Sequence, residues 1–328
     1  MAEVRSAGII ATGSFTPSRV LTNFDLEKMV DTSDEWIRSR TGIVERRIAD
    51  AGTATSDLAL PAAQAALRQA EMEAQELDLI IVATVTPDMV FPCTAAVLQR
   101  RLGAEAAAFD LVVGCTGFVY GLVLAREVIA SGSHDHVLVV GAETLSTITD
   151  WEDRSTCVLF GDAAGAAIVG PVEEGRGILG YSLGNDGANA DALKIPAGGS
   201  RMPTSQETVA NRLHYLTMNG PEVFKFAVRT MADASEKVVR AAGLSMKDID
   251  VVIPHQANLR IIDAAAKRFN LPYERFVHNL ERYGNTSAAS IPLALDESVR
   301  EGRIKRGDVI LLSSFGAGLS WGSVVMRW

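Results

Sequence analysis

The chain has 328 residues, of which 48% are hydrophobic and 22% charged, so it can bury a large core and is not of disordered composition. Its formal net charge of −9 argues against a general nucleic-acid-binding protein, although a local basic surface is compatible with that total. The three cysteines, Cys93, Cys115 and Cys157, are too few for a disulfide framework and indicate a reduced, cytoplasmic protein.

Neither end of the sequence predicts a targeting or membrane segment. The N-terminal apolar run is short and carries Glu3 and Arg5, unlike a signal peptide. Residues 309–326 are uncharged and long enough to span a membrane, but serines and glycines interrupt them and the segment begins like a strand. We therefore expect no membrane partner.

Two pairs of segments repeat the same pattern. Residues 76–103 and 248–272 each read as an acidic turn, a β-branched strand, a polar loop and an amphipathic helix. Residues 109–143 and 278–318 each predict a strand, a loop, a helix, a glycine-containing turn and a second strand. We expect two similar βαβ-rich halves, residues 1–172 and 173–328, each with a mostly parallel sheet. Unrelated βαβ units also resemble one another, so a simple coincidence of pattern stays open.

Cys115 lies in "DLVVGCTGFVYGL", where an apolar strand meets a glycine-containing turn before a helix. The dipole and free N–H groups of a helix N-terminus favour a thiolate, the reactive form of cysteine. Gly114 and Gly117 would leave room for a substrate beside the sulfur. The alternative for a free cysteine is a small buried apolar residue, which we favour for Cys93 and Cys157.

Two further segments place polar side chains where predicted strands end or helices begin. His255 follows a buried-looking strand in "VVIPHQANLR", a position at which α/β sheets present catalytic groups. Asn285, in "RYGNTSAAS", occupies a position equivalent to that of Cys115, although an N-cap role would also explain an asparagine there. If the two halves pack face to face, these three side chains meet in one cleft.

Two glycine-rich loops have different interpretations. Residues 313–322, "SSFGAGLSWG", could present backbone N–H groups to an oxyanion. Residues 160–170, "FGDAAGAAIVG", lack the strand–loop–helix context of a phosphate or dinucleotide loop, because strand-like residues follow. No metal-binding motif is present, and we expect neither a metal nor a cofactor.

Five segments together resemble the β-ketoacyl-acyl-carrier-protein synthase III family of thiolase-like condensing enzymes. In chain order they are "DTSDEWIRSRTGIVERR", "GCTGF", "HQANLRII", "GNTSAAS" and "FGAGLSWG". The resemblance covers essentially the whole chain. It implies an α/β thiolase-like fold with five layers, αβαβα, and a homodimer.

The resemblance implies an acyltransferase that initiates fatty acid synthesis. A short acyl group passes from acyl-coenzyme A to a cysteine. Malonyl-acyl-carrier protein then loses CO₂ and attacks the thioester, giving 3-oxoacyl-acyl-carrier protein. Coenzyme A is here part of a substrate rather than a cofactor.

The family's triad corresponds to Cys115, His255 and Asn285. The cysteine is the nucleophile, and the other two donate hydrogen bonds to the enolate oxygen that decarboxylation creates. The backbone amides of Cys115 and Ala317 would form the oxyanion hole. Ala317 replaces a glycine that is common in the family, which leaves the donor intact only if its φ is not forced positive. Thr116 replaces a frequent alanine, with a small effect on the pocket.

The resemblance also implies a coenzyme A site and an acyl pocket. Trp36 and Arg154 would sandwich the adenine, and Phe91 would limit the pocket to a short primer such as acetyl. The remaining predicted contacts are Arg40 with phosphate and Gly220 and Asn258 with the pantetheine arm. Without the resemblance, ordinary packing would explain Trp36 and a solvated charge would explain Arg154.

A basic surface is expected for the acidic carrier protein. The residues predicted to form it are Lys225, Arg229, Arg260, Lys267 and Arg268. Arg260 and Lys267 are seven positions apart and so share one helical face. An ordinary solvated charged face would explain the same residues.

Three other functions stay open at this level. A cysteine hydrolase uses the same three residue types, but usually belongs to a secreted or lysosomal protein with disulfides. A catalytically silent acyl-binding protein would have no need of an intact triad. A starter synthase for a polyketide, quinolone or long-chain product would use the same chemistry.

Overall fold

The computed structural model describes residues 5–328. The strands are β1 (Ala7–Phe15), β2 (Val20–Thr22), β3 (Glu45–Arg47), β4 (Leu79–Ala83), β5 (Ala107–Leu111), β6 (Val137–Glu143), β7 (Ala163–Pro171), β8 (Gly177–Asn185), β9 (Leu193–Lys194), β10 (Thr217–Met218), β11 (Val251–Pro254), β12 (Val309–Gly316) and β13 (Ser320–Arg327). The helices are α1 (Asn23–Leu26), α2 (Asp34–Thr41), α3 (Thr55–Ala70), α4 (Thr94–Leu102), α5 (Gly117–Ala130), α6 (Arg154–Cys157), α7 (Gln206–Ala210), α8 (Gly220–Ala241), α9 (Leu259–Phe269), α10 (Leu280–Tyr283) and α11 (Ser290–Arg300).

Two mixed sheets repeat one topology. The first has the strand order β1-β7-β6-β4-β5 and the second the order β8-β13-β12-β11. In each sheet the first two pairings are antiparallel and the pairings that follow are parallel. The predicted internal repeat is therefore confirmed, although each sheet is mixed and not mostly parallel.

The layers follow from which helices cover which sheet. α3 packs on β1, β6 and β7, with α4 beside it, and α8 packs on β8, β12 and β13, with α9 beside it. α5 and α11 lie between the two sheets and contact both. The order is thus αβαβα, which confirms the predicted thiolase-like fold.

Burial on both faces explains the strand sequences. β4 reads Leu-Ile-Ile-Val-Ala and every residue in it is buried, as expected for a strand covered on both sides. Close helix packing depends on small residues. A Cβ on Gly13 of β1 would lie 2.3 Å from the Ala62 carbonyl oxygen of α3.

The two halves share a core. One hydrophobic cluster joins Val139 of β6 and Phe118 of α5 to Ile310 of β12 and Ile291 of α11. The chain passes from the first sheet to the second between Pro171 and Gly177. The division into residues 1–172 and 173–328 stays a prediction, and this shared core is a reason to expect that neither half folds alone.

Two segments clarify the sequence predictions. Residues 278–283 do not form the expected strand. Most of them form α10, and a single bridge from Phe276 to Val252 replaces the edge strand. The segment is polar and has no β-branched residue after His278, which explains the failure. The long uncharged stretch near the C-terminus forms β12 and β13, and no helix within residues 5–328 is long and apolar enough to cross a membrane.

Candidate active site

A cavity of about 830 Å³ lies between the two halves, and Cys115, His255 and Asn285 all line it. Cys115 comes from the turn between β5 and α5, His255 follows β11, and Asn285 precedes α11. The structure thus brings together three side chains that lie far apart in the sequence. Phe315 and Ala317, from β12 and the turn that follows it, line the same cavity.

The backbone around Cys115 is fixed by the second half of the chain. A Cβ on Gly316 would lie 2.8 Å from the Cys115 nitrogen, so glycine is needed where β12 passes the nucleophile. The Ser314 hydroxyl donates to the Cys115 carbonyl oxygen at 2.8 Å. Gly114 adopts a φ of +57°, which favours glycine.

Gly117 has a different role from the one predicted. A Cβ there would lie 2.7 Å from the Ala83 side chain, so this glycine lets α5 approach β4 and does not clear a path for substrate.

The two other cysteines lie outside the cavity lining. Cys157 is buried in the core, as expected, and Cys93 is half-buried.

Burial sets the resting protonation of the site. It raises the pKa of Cys115 to about 12, while a hydrogen bond from Ser287 opposes that rise and the charge of Glu143 adds to it. Burial alone lowers the pKa of His255 to about 3. The resting pair is therefore a thiol and a neutral imidazole. At rest, the loss of water on burial thus outweighs the effect of the helix start that the sequence suggested.

His255 is held in one orientation. Its backbone N–H donates to the Ser313 carbonyl oxygen at 2.8 Å, and its ring packs edge-on against Phe315 with centroids 5.3 Å apart. Nδ1 lies 2.7 Å from the hydroxyl oxygen of Ser290, the first residue of α11. Nε2 is therefore the nitrogen left to act in the cavity.

Asn285 combines the two predicted roles. Its Oδ1 accepts a hydrogen bond from the Ser287 backbone N–H at 2.9 Å, as a capping residue does, and its own backbone N–H donates to the Leu159 carbonyl at 2.8 Å. With Oδ1 occupied, the amide NH₂ group is the part of the side chain available to donate.

Ala317 meets the condition set by the sequence. It lies in the turn between β12 and β13 and is not held in the left-handed region, whereas Gly318 has a φ of +132°. The replacement of glycine by alanine therefore leaves the backbone N–H of residue 317 usable as a donor. Thr116 is buried and hydrogen-bonds to the Val113 carbonyl, so its hydroxyl is directed at the backbone.

Of the residues predicted to contact coenzyme A, Trp36, Arg40, Gly220 and Asn258 line the cavity at its mouth, whereas Arg154 is not among the lining residues. The Arg154 guanidinium carbon lies 4.3 Å from the centre of the Trp36 ring, so the two side chains stack on each other. An adenine ring can enter between them only if they separate.

Asn258 caps α9. Its side-chain oxygen accepts from the Arg260 backbone N–H at 2.9 Å, and its NH₂ donates to the Arg40 carbonyl oxygen at 3.1 Å. Both the oxygen and the NH₂ group of the amide already form hydrogen bonds. Asn258 therefore has less hydrogen-bonding capacity for the pantetheine arm than the resemblance implied. The bond from Asn258 to Arg40 also ties the start of α9 to α2 at the cavity mouth.

Phe91 is not in the cavity of its own chain. It lies in the loop between β4 and α4, is 87% exposed, and is not among the residues that line the cavity. The expected pocket-limiting contact is therefore not made within this chain.

The basic surface is narrower than predicted. Lys225 and Arg260 line the cavity mouth, and Arg229 and Lys267 are exposed on α8 and α9. Arg268 instead forms salt bridges with Asp233 and Glu236 of α8. Its charge is neutralised by the neighbouring helix, which a single-helix pattern could not show.

Three residues beside the triad were not predicted from the sequence. They are Ser287, Ser290 and Glu143. The serines belong to "GNTSAAS", which was noted only for its asparagine. Glu143 closes an otherwise apolar strand, and a lone acidic residue at the end of a buried strand is a signal that could have been used.

Comparison with known proteins supports one family. Residues 109–187 match the family model for 3-oxoacyl-[acyl-carrier-protein] synthase III, and residues 239–328 match the model for its C-terminal part. The β-ketoacyl-[acyl-carrier-protein] synthase III of Caldanaerobacter subterraneus is 59% identical over 100% of this chain and 99% of the relative.

Solved structures agree. The synthase III from Thermus thermophilus matches with a TM-score of 0.92 and 52% identity, over 98% of this chain and 99% of that one. The priming β-ketosynthase of the R1128 polyketide pathway has the same TM-score of 0.92 at 36% identity, over 100% of this chain and 97% of that one. The chain therefore belongs to the β-ketoacyl-acyl-carrier-protein synthase III family, and it is an acyltransferase that performs the initiating condensation of acyl-coenzyme A with malonyl-acyl-carrier protein in fatty acid synthesis.

Proposed function

We propose that Cys115 carries the acyl group and that His255 and Asn285 stabilise the enolate. The observation that supports this most directly is that all three side chains line one cavity between the two halves. A thioester suits a sulfur nucleophile, and two neutral donors suit an oxygen on which charge develops. Neither donor needs to remove a proton from carbon, because loss of CO₂ creates the carbanion.

The tautomer of His255 follows from its partner. If the Ser290 hydroxyl donates to Nδ1, the ring proton lies on Nε2, where it can be donated to the enolate oxygen. The low pKa of His255, caused by burial, keeps the ring neutral and its tautomer fixed through the working pH range. The backbone N–H groups of Cys115 and Ala317 serve the tetrahedral intermediate.

Intact-mass measurement tests these roles. With acetyl-coenzyme A alone, the wild-type protein gains one acetyl group and the Cys115→Ala variant gains none. Adding malonyl-acyl-carrier protein then yields acetoacetyl-carrier protein. Release of free acetate without condensation would contradict the assignment.

Coenzyme A binding at the mouth is supported by Trp36, Arg40 and Arg154. Separation of the Trp36–Arg154 stack would admit adenine, and the exposed Arg40 would meet phosphate. The net free energy that this pair contributes to binding is the free energy of stacking on adenine less that of the Trp36–Arg154 contact, which is lost when the two side chains separate.

Carrier-protein docking is supported by Lys225, Arg229, Arg260 and Lys267, which form no salt bridges within residues 5–328. Arg260 also lies over the Phe224 ring at 5.5 Å, which orients it beside the opening. Arg268 is left out of this proposal because its charge is already paired.

A homodimer is supported by an exposed apolar face. β5 is the edge strand of the first sheet, and Phe109 and Val112 on or beside it are 39% and 70% exposed. Val90 and Phe91 are 96% and 87% exposed. An edge strand with exposed apolar side chains is suited to pairing with a second copy. Sedimentation of the wild type and of a Phe109→Lys variant tests this, and a monomeric wild type would contradict it.

Acetyl as the primer depends on Phe91, which reaches no cavity in its own chain. Rates with acetyl, branched and longer acyl-coenzyme A, for the wild type and Phe91→Ala, decide whether this ring sets chain length. An unchanged preference in the variant would show that Phe91 does not limit the acyl pocket.

The three free cysteines support a reducing, cytoplasmic setting.

A further inference from the structure

Glu143 is a buried carboxyl group beside the nucleophile that neither the triad nor the substrate sites use. It ends β6 and has no exposed surface. The hydroxyls of Thr86 and Thr84 donate to it at 2.7 and 3.1 Å, and the backbone N–H of Val85 donates at 3.1 Å. These three groups hold the carboxyl in one place next to the cavity, which Val85 lines.

No cation compensates this group within residues 5–328. The elements packed against β6 are β4, β7, α3, α5, α11 and residues 287–289. β4, β7 and residues 287–289 contain no charged side chain. The titratable residues of the three helices are Asp57, Arg68, Tyr120, Arg126, Glu127, Asp296, Glu297 and Arg300.

Those eight residues are engaged elsewhere or reach solvent. Asp57 pairs with Arg101, Arg126 with Glu127, Asp296 with Arg300, and Glu297 with Arg282. The Tyr120 hydroxyl donates to the Gly184 carbonyl, and Arg68 is exposed. The titratable group that does act on Glu143 is Cys115, since the carboxylate charge raises the pKa of that thiol. A buried, uncompensated carboxyl group is costly, and such groups often serve a function.

Ser287 connects this carboxyl group to the nucleophile. Residues 287–289 pack against both residues 114–116 and β6, so Ser287 lies between the nucleophile and the carboxyl group. Its hydroxyl lowers the pKa of Cys115 and of Glu143, as a hydrogen-bonding group does. Ser287 is buried and lines the cavity, and its φ of +49° is rare for a residue other than glycine. The bond from its backbone N–H to Asn285 helps to hold this conformation. Strain of this kind persists where a function requires the geometry.

We propose that Glu143, acting through the Ser287 hydroxyl, holds the Cys115 proton while the cysteine carries the acyl group. This rests on the proposed role of Cys115 as nucleophile. In this proposal Ser287 acts directly on the reacting sulfur, and Glu143 is a positioning residue that acts through Ser287. No residue of this pair was part of the site predicted from the family.

The proton balance closes over one cycle. In acylation, the thiol proton passes to the Ser287 oxygen as the Ser287 proton passes to the Glu143 carboxylate. The sulfur bonds to the acyl carbon, and the coenzyme A thiolate leaves and takes a proton from solvent. In condensation, attack by the malonyl-derived carbanion expels the Cys115 thiolate, and the proton returns from Glu143 through Ser287. The net consumption is one solvent proton for each CO₂ released.

The acidity of the carboxyl group suits this exchange. Burial raises the pKa of Glu143 to about 7, and hydrogen bonds from Thr86, Val85, Ser287 and Thr84 offset part of the rise. A group with a pKa near the working pH can both accept and return a proton. An ordinary glutamate would be a much weaker acceptor for a thiol proton.

Single-turnover acetylation of Cys115 by acetyl-coenzyme A, quenched and read by intact mass between about pH 5 and 9, tests the proposal. The wild-type rate should rise with pH through an apparent pKa near 7, as Glu143 becomes a carboxylate. Glu143→Gln should lose this rise and be roughly ten- to a hundredfold slower above neutral pH. Ser287→Gly should behave alike, and glycine accepts the left-handed backbone, so this variant is expected to fold.

Thr84→Val is the matched control. It removes one donor to the carboxylate and leaves Glu143 and Ser287 in place, so the rise should remain and move to higher pH. A Glu143→Gln or Ser287→Gly variant that folds and keeps the wild-type rise would overturn the proposal, whatever its absolute rate. An acetyl adduct on Cys115→Ala would instead overturn the assignment of the nucleophile, so the two failures are distinguishable.

Discussion

The inner end of the cavity and its mouth are built in different ways. At the inner end, Cys115, His255 and Asn285 are each fixed by hydrogen bonds within the folded chain. At the mouth, Lys225 and Arg260 are exposed and the Trp36–Arg154 stack must open. Chemistry thus takes place among preorganised groups, whereas recognition uses side chains that can move. Substitutions at the inner end should change rate constants, and those at the mouth should change binding.

The largest expected effect is at the enolate donors. His255→Ala should lower the condensation rate by roughly a hundredfold to a thousandfold, because a donor aimed at developing charge is lost. Acetylation of Cys115 from acetyl-coenzyme A should continue. Single-turnover assays of the two half-reactions measure this. An equal loss in both would show that His255 does not act in condensation alone.

The buried carboxyl group of Glu143 should also make the free energy of unfolding depend on pH. The pKa of Glu143 is raised from 4.5 to about 7, so the folded state holds a proton that the unfolded state releases. Stability from this group is therefore present below about pH 4.5 and falls as pH rises through about 7, by about 3 kcal/mol at most.

Denaturant unfolding of the wild type and Glu143→Gln at pH 5 and pH 8 checks this. The wild type should lose more stability between the two pH values than the variant does. Parallel losses in both proteins would show that Glu143 does not carry the pH dependence. The comparison concerns the pH-dependent difference, so a uniform cost of the substitution does not affect it.

The partner of His255 provides a smaller test of preorganisation. Ser290→Ala should slow condensation by about tenfold, because the neutral ring loses the bond that fixes its tautomer. Acetylation should be nearly unchanged. Ser290→Thr keeps a hydroxyl and should restore part of the rate if the bond itself matters. Failure of a folded threonine variant to recover any rate would point to packing of α11 instead.

At the mouth, Trp36→Ala should raise KM for acetyl-coenzyme A several-fold, since about 1 kcal/mol of stacking is lost. The rate constant for condensation should stay close to that of the wild type. Steady-state kinetics separate the two parameters. A fall in kcat with an unchanged KM would place Trp36 in the chemistry.

The smallest effect is expected at the carrier surface. Lys267→Glu should weaken use of malonyl-carrier protein a few-fold at low salt and spare acetylation from coenzyme A. Arg229→Glu provides a second exposed site on α8. Equal loss of both activities would contradict a docking role, and a salt-independent loss would show that the change is not electrostatic.

The sequence predicted the fold and the convergence of the triad because both follow from local patterns that are repeated at matching positions of the two halves. Glycine-flanked turns before α5 and α11 marked Cys115 and Asn285, and the end of a buried strand marked His255. Sequence alone could not predict features that depend on a neighbouring element. Arg268 is neutralised by α8, Phe91 lies outside the cavity of its own chain, and the thiol loses water on burial. Ser287 and Ser290 were missed because their roles depend on what lies across the interface.

The position of β13 affects how the protein matures. β13 lies between β8 and β12, so the second sheet cannot close until residues up to Arg327 have left the ribosome. Gly316 and Ser314, which hold the backbone of Cys115, sit on the strand just before it. The reactive sulfur is therefore synthesised about two hundred residues before its surroundings exist. A nascent chain therefore lacks the assembled cavity until β12 and β13 have been made.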